Sequence, residues 1–226
     1  MNNVLNVARY HLVDRLTYLI GPWGIVAFVF LVNLLITASQ GGPSPSKAVV
    51  VIYLYFFALG LMSIGRSLPF GLALGASRRS YYIGTALLAI TLAAAYGLAL
   101  ALLQVAERAT HGWGVSLHFF QVSFILAGPW YLTWLTSFVG LSLLFFYGMS
   151  YGIVFARWAR FGLVAFMIGQ VAVIRAWILV ANWADSRPGV GHFLTNPGAA
   201  GVTGMLGALA IVLLLGGFAV MRRLTV

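Results

Sequence analysis

Few side chains in this sequence are able to do chemistry. Its three acids, Asp14, Glu107 and Asp185, lie far apart and outside the apolar runs, so no two are placed to divide acid and base duties. Cysteine is absent, which removes thiolate nucleophiles, thiolate metal ligands and disulfides. The histidines, His11, His111, His118 and His192, have no metal-ligand spacing, and no metal is expected. A phosphate-binding loop needs Gly-x-x-x-x-Gly-Lys-Ser/Thr so that backbone amides and a lysine cradle the nucleotide. The lone lysine, Lys47, follows Ser46, while Gly71-Leu72-Ala73-Leu74-Gly75 has glycines and no lysine. Membrane hydrolases and transferases need a nucleophile with its base, or a metal, so the chain is not expected to be an enzyme.

What remains is arginine. Arg175 is the one formal charge deep within an apolar run, in Gln170-Val171-Ala172-Val173-Ile174-Arg175-Ala176-Trp177. A central arginine costs about 2.5–3.5 kcal/mol on insertion scales, so such residues face a cavity, a partner or the interface. Two readings stand. Arg175 shapes a polar pocket with Gln170 inside the bundle or at a dimer interface, or it snorkels to phosphates beside Trp177 and Trp183.

These residues sit in a chain of 226 residues that is 62% hydrophobic and 7% charged. Soluble domains are roughly 25% charged, so most of this surface does not face water. Lys and Arg total 13 against three acids, a formal net charge of +10. A nucleic-acid-binding module would gather them into patches. Here they stand singly or in pairs between apolar runs, and no nucleic-acid partner is expected.

A hydrocarbon core of about 30 Å asks for about 20 apolar residues per helical crossing. Six stretches approach or exceed that length: 16–37, 48–65, 82–105, 129–155, 161–182 and 201–221. They lack the sustained alternation of a membrane barrel. The expectation is an all-α integral membrane protein, one domain over 1–226. With the amino terminus inside, Arg9, Arg15, Arg66, Arg78, Arg79, Arg157, Arg160, Arg222 and Arg223 are cytoplasmic, and only Lys47, Arg108 and Arg187 are outside. Cytoplasmic loops carry the basic excess, so both termini are placed in the cytoplasm. The first apolar run is too long for a signal peptide and lacks a clear cleavage site, so it is read as a retained span.

Before that span, residues 1–15 read as an amphipathic interfacial helix with Val4, Leu5, Ala8 and Leu12 on its apolar stripe and the stems of Arg9 and Arg15 free to snorkel. The alternative is that they extend the first span. Gly21-Pro22 would let the chain turn between the two helices. The loop from Arg66 to Tyr81 predicts a short helix with Pro69 in its first turn and Gly75 as its stop. It is apolar, bracketed by arginines, and reads either as a grip for a partner protein or as a loop resting on lipid. Residues 115–124 are too short to cross and read as an aromatic anchor or a cap. Gly148, Gly152, Gly201, Gly204 and Gly207 offer close helix approach.

At this loop the sequence resembles a known family. The pattern Arg66, Pro69-Phe70, Leu74-Gly75, Ser77-Arg78-Arg79, Tyr81 and Gly84 is similar to the loop after the second span in bacterial ABC transporter permeases of the type-two, exporter-like class, especially those of actinobacteria. Gly128-Pro129-Trp130-Tyr131-Leu132-Thr133-Trp134-Leu135-Thr136-Ser137-Phe138, continuing to Tyr147-Gly148-Met149, is similar to their fourth span. The resemblance implies a plasma-membrane permease subunit that pairs with a second copy or a paralogue. It also implies docking on two ATP-binding cassette subunits, which hold ATP and Mg²⁺. The coupling helix then carries Arg66, Pro69, Phe70, Arg78 and Arg79, and the amino-terminal helix, with Arg9 and Arg15, makes the second contact. Arg175 and Gln170 are the expected pathway residues. The family often has re-entrant helices between its last two spans, whereas the segment here is brief and holds Pro188 and Pro197. The alternative function is a non-transporting membrane module, an immunity, assembly or sensor subunit that binds a partner through the same bundle.

Overall fold

Lipid tails are as apolar as leucine, so a helix bundle in a bilayer is held by close van der Waals fit and hydrogen bonds rather than by hydrophobic sequestration. The computed structural model describes residues 16–40, 44–45, 49–65, 67–73, 75, 77–120, 129–185 and 198–222. It is almost wholly helical: α1 (Gly21–Gln40, entered through a π-turn at Leu16–Ile20), α2 (Val50–Gly65), α3 (Ser67–Ala73), α4 (Arg78–Ala109), α5 (Trp130–Asp185) and α6 (Ala199–Met221). The strands β1 (Ser44–Pro45) and β2 (Leu117–His118) form one short parallel pair. Among the described residues, five helices are long and apolar enough to cross a membrane. The interfacial helix expected over 1–15, with Arg9 and Arg15, lies outside the described residues, as do Arg66, Lys47, Arg187 and Arg223.

Six stretches were expected, and the fourth and fifth form the single segment α5. At 56 residues a straight α5 would run about 84 Å, nearly three times the hydrocarbon thickness. It does not run straight. Ala159 has φ 50° and ψ −139°, a conformation no helix accommodates. Tyr147 and Tyr151 before it reach Gln170 after it, at 2.6 and 2.9 Å. The chain therefore folds back at Ala159 into two arms, 130–158 and 160–185.

The first arm is the hub, packing against α2, α4 and α6. Its tightest joint is reciprocal. A Cβ on Gly60 would stand 2.0 Å from the carbonyl oxygen of Phe145, and one on Gly148 would stand 2.0 Å from that of Phe57. Only glycine lets the two backbones approach so closely. Gly148 thus serves packing inside one chain, whereas Gly204 has nothing near it and Gly207 only an ordinary contact with Val139.

Hydrogen bonds fasten the other helices. Pro22 has no N–H to give the carbonyl one turn earlier, and a carbonyl left bare in lipid is costly. The Tyr96 hydroxyl donates to that carbonyl, of Tyr18, at 2.9 Å, and the Tyr55 hydroxyl donates to the neighbouring Thr17 carbonyl at 2.9 Å. The chain does not turn between two helices at Gly21-Pro22: the π-turn at Leu16–Ile20 runs straight on into α1. Tyr82 donates to the Leu214 carbonyl at 2.6 Å, tying α4 to α6, and Thr136 and Thr203 share a bond of 2.8 Å between α5 and α6. Around this core, Phe28, Leu35, Phe161, Val173 and Leu179 are exposed, as lipid-facing residues should be.

Candidate functional site

The chain's direction fixes which termini share an end of the bundle. α2 leads directly into α3, and α3 into the start of α4. The bond from Tyr82 to the Leu214 carbonyl sets the end of α6 beside the start of α4. A groove is lined jointly by α3 and by the residues flanking Ala159. One end therefore gathers Arg78, Arg79, Arg157, Arg160 and Arg222. Among the described arginines, Arg108 alone marks the far end of α4, and Arg175 lies between.

The element that distinguishes this end is α3. Pro69 sits in its first turn, where a missing N–H costs least. Gly75, at φ 82°, stops the chain, its N–H donating to the Leu72 carbonyl at 3.0 Å. Arg78 and Arg79, read as loop residues from the sequence, instead belong to the first turn of α4. Ser77 caps that helix by accepting from the Ser80 amide at 3.1 Å, so the helix starts earlier than the apolar pattern does.

Two faces of α3 differ. Leu68 and Gly71 are buried. The ring of Tyr81 lies so close to Gly71 that a Cβ there would come within 2.7 Å of it, and the Tyr81 hydroxyl donates to the Ser63 carbonyl near the end of α2. One fully buried tyrosine thus joins α2, α3 and α4. Outward, Pro69 is exposed and Phe70 is 50% exposed. Seven residues are too short to cross, and they present the ring of Phe70 away from the bundle, with exposed Pro69 at its flank.

Beside α3 opens an apolar groove of about 660 Å³, lined by Leu61, Leu68, Pro69, Leu72, Phe155 and Leu163, among others. It lies against the turn at Ala159. The Arg157 guanidinium sits 4.7 Å above the ring of Trp158, a cation–π arrangement.

The second pair of expected residues separates. Gln170 is half-buried, and its Oε1 accepts from both tyrosine hydroxyls of the first arm. Its Nε2 is buried without a hydrogen-bond partner. Arg175 is exposed and stands about 140° round the helix from Gln170. Within one chain the two share no pocket.

At the opposite end the structure places a residue the sequence had left idle. Glu107 is 1% exposed. Its Oε2 accepts from the amides of Phe119 and Phe120 at 3.0 and 2.8 Å and from Trp113 Nε1 at 3.3 Å. Phe30 meets the rings of Trp113, Phe119 and Phe120. The aromatic segment expected at headgroup level is, as far as Phe120, a plug inside the protein; residues 121–128 lie outside the described part. The one available signal was a lone acid placed just before a Gly-Trp-Gly turn. Among the described residues, no three His, Asp or Glu side chains gather as a metal site.

No protein-family model, curated protein or solved structure matches this chain.

Proposed function

We propose that the chain is the membrane subunit of a bacterial ATP-driven exporter of the type-two ABC class. In this reading it is one plasma-membrane domain with six crossings, counting the arms of α5 separately, and its arginine-rich end and both termini are cytoplasmic. The observation that carries the reading is α3, a seven-residue helix whose outward face offers Pro69 and Phe70 between flanking arginines. An apolar knob flanked in sequence by arginines suits a cleft with an apolar floor and an acidic rim.

The geometry supports a mechanical route. An ATP-binding cassette subunit, holding ATP and Mg²⁺, would seat α3 through Pro69, Phe70, Arg78 and Arg79, with Arg66, Arg9 and Arg15 completing the contact. Tyr81 fastens α3 to both neighbouring helices. The Gly60–Gly148 joint then links α2 to the hub of the bundle. A push on α3 is therefore delivered to α2, α4 and the first arm of α5 together, which is what alternating access requires of a lever. The pathway lies between this chain and a second copy or paralogue, bordered by Arg175 on the outer face of the return arm, while Gln170 braces the arms.

The test is co-purification with the ATP-hydrolysing protein encoded beside this chain, followed by ATPase assay in proteoliposomes. A stable complex whose hydrolysis is stimulated by the membrane subunit, and which Phe70→Asp dissociates, supports the reading. Association without any stimulation would favour the non-transporting module, and no association would remove both.

A further inference from the structure

The turn at Ala159 leaves a recess between the two arms of α5, lined by other residues than the groove beside α3. Its volume is about 450 Å³, within the range of about 300–1,000 Å³ typical of small-molecule sites. Val154 and Trp158 line it from the first arm, and Phe161, Gly162, Ala165 and Phe166 from the return arm. Residues four apart stand one above the other on a helix, so the recess is a slot that runs along the arms. Its walls are aliphatic and aromatic. Trp158 and Phe161 are exposed, so the slot opens on the outside of the bundle, toward lipid.

A fixed cation stands at this slot. The Arg157 guanidinium lies 4.7 Å from the centre of the Trp158 ring, and Trp158 is one of the lining residues. A guanidinium stacked by its face keeps its N–H edge free, and that edge matches two oxygens of a phosphate. Glu107 is buried at the far end of α4 and Asp185 is the last residue of α5, so among the described residues no carboxylate stands beside Arg157. Nor, among them, does any accept from the Trp158 indole N–H. An apolar slot with an uncompensated, ring-held guanidinium is complementary to an acyl chain that ends in an anionic phosphate.

We propose that this slot binds an anionic phospholipid of the bilayer, with an acyl chain along Val154, Phe161 and Phe166 and the phosphate held by Arg157 on the Trp158 ring. Tryptophan is enriched at headgroup level, which is where a Trp–Arg pair at the end of an apolar arm meets a phosphate. The lipid braces the hairpin near its turn, as Gln170 braces it further along through Tyr147 and Tyr151. The site needs only that α5 lie in a membrane, and it holds for an exporter and for a non-transporting module alike.

The probe is the full chain in nanodiscs of equal parts phosphatidylglycerol and phosphatidylcholine, released into native mass spectrometry to count retained lipid of each kind. The intact protein should retain phosphatidylglycerol selectively. An arginine near an anionic phosphate contributes roughly a fivefold preference, and Arg157→Ala should remove it. Trp158→Leu keeps the charge but takes away the ring that orients it, and should lower the preference as well, which attraction to a basic surface alone would not do. Ala165→Trp, which fills the slot, should lower retention of both lipids. Arg222 lies 5.9 Å from the ring centre of Phe218, which is not part of the slot, so Arg222→Ala should change nothing. Equal retention of the two lipids by the intact protein would overturn the proposal, as would a loss in Arg157→Ala no larger than in Arg222→Ala, or an unchanged preference in Trp158→Leu. Undiminished retention by Ala165→Trp, or displacement of the lipid by inorganic phosphate, would overturn the placement of the acyl chain.

Discussion

The two ends of the bundle solve the same physical problem in opposite ways. At the end of α4 marked by Arg108, the chain closes on itself. Glu107 takes three donors, Phe119 and Phe120 are buried, and Phe30 packs against both rings. That closure holds strain, since His111, Trp113 and Ser116 all adopt positive φ, a region that costs non-glycine residues of order 1–3 kcal/mol each. At the other end the described residues stop short of closure. Phe70 is half exposed, five arginines gather with no described acid among them, and a groove opens against α3. One end spends its polar and aromatic groups on itself, and the other presents them. In the proposed reading, the second end is the one a partner drives.

If the comparison is right, damage to the joint that both ends depend on should have the largest effect. Gly148→Leu drives a side chain into the backbone of α2, where even a Cβ would overlap the Phe57 carbonyl. Overpacking of this kind costs about 1–3 kcal/mol and occasionally more, and here the backbone has nowhere to move. The expected outcome is loss of a monodisperse peak in detergent. A well-behaved protein of unchanged thermal midpoint would break the hub described for α5.

Next in size is the closed end. Glu107→Ala leaves the amides of Phe119 and Phe120 buried without that acceptor, at about 1.5 kcal/mol each and about 3 kcal/mol together. The unfolding midpoint, followed by tryptophan fluorescence, should fall by roughly 6–12 °C for a chain of this length. Glu107→Gln keeps an oxygen in place and should lose less than half as much. Equal losses would mean that the acceptor is not what holds the cap.

The smallest effect belongs to a hydroxyl. Tyr96→Phe removes the donor that serves the carbonyl orphaned by Pro22, a change of about 1 kcal/mol. A fall of roughly 2–4 °C is expected. Pairing it with Pro22→Ala sharpens the test, because an alanine N–H supplies a donor of its own and the penalty of Tyr96→Phe should shrink.

Much of this architecture was readable because the bilayer imposes it. Apolar runs of crossing length marked the long helices, and Pro69 with Gly75 marked α3 at both ends. The sequence was less able to set boundaries. A capping serine started α4 at Arg78, before its apolar pattern begins, and the reversal at Ala159, expected between 155 and 161, was marked by Arg157 and Arg160 and not by a Gly or Pro at the turn. Nor do phenol-to-carbonyl bonds announce themselves. Tyr55, Tyr81, Tyr82 and Tyr96 look alike as letters, and each donor's partner depends on which helices the topology brings together. Glu107 stood out only as an acid outside the apolar runs, because the amides that donate to it lie 12 and 13 residues further on. Arg175 and Gln170 were paired by proximity in sequence, and helical geometry turned them apart.

The central claim is that α3 is the surface through which another protein drives the bundle. The chain contains no cysteine, so Phe70→Cys is a unique thiol. Single cysteines placed across the docking cleft of the neighbouring ATPase can then be tested for disulfide cross-linking in membranes. The account predicts a cross-link from residue 70 whose yield changes with nucleotide, and none from a control cysteine at exposed Leu35. A cross-link from Leu35 with silence at residue 70 would contradict it.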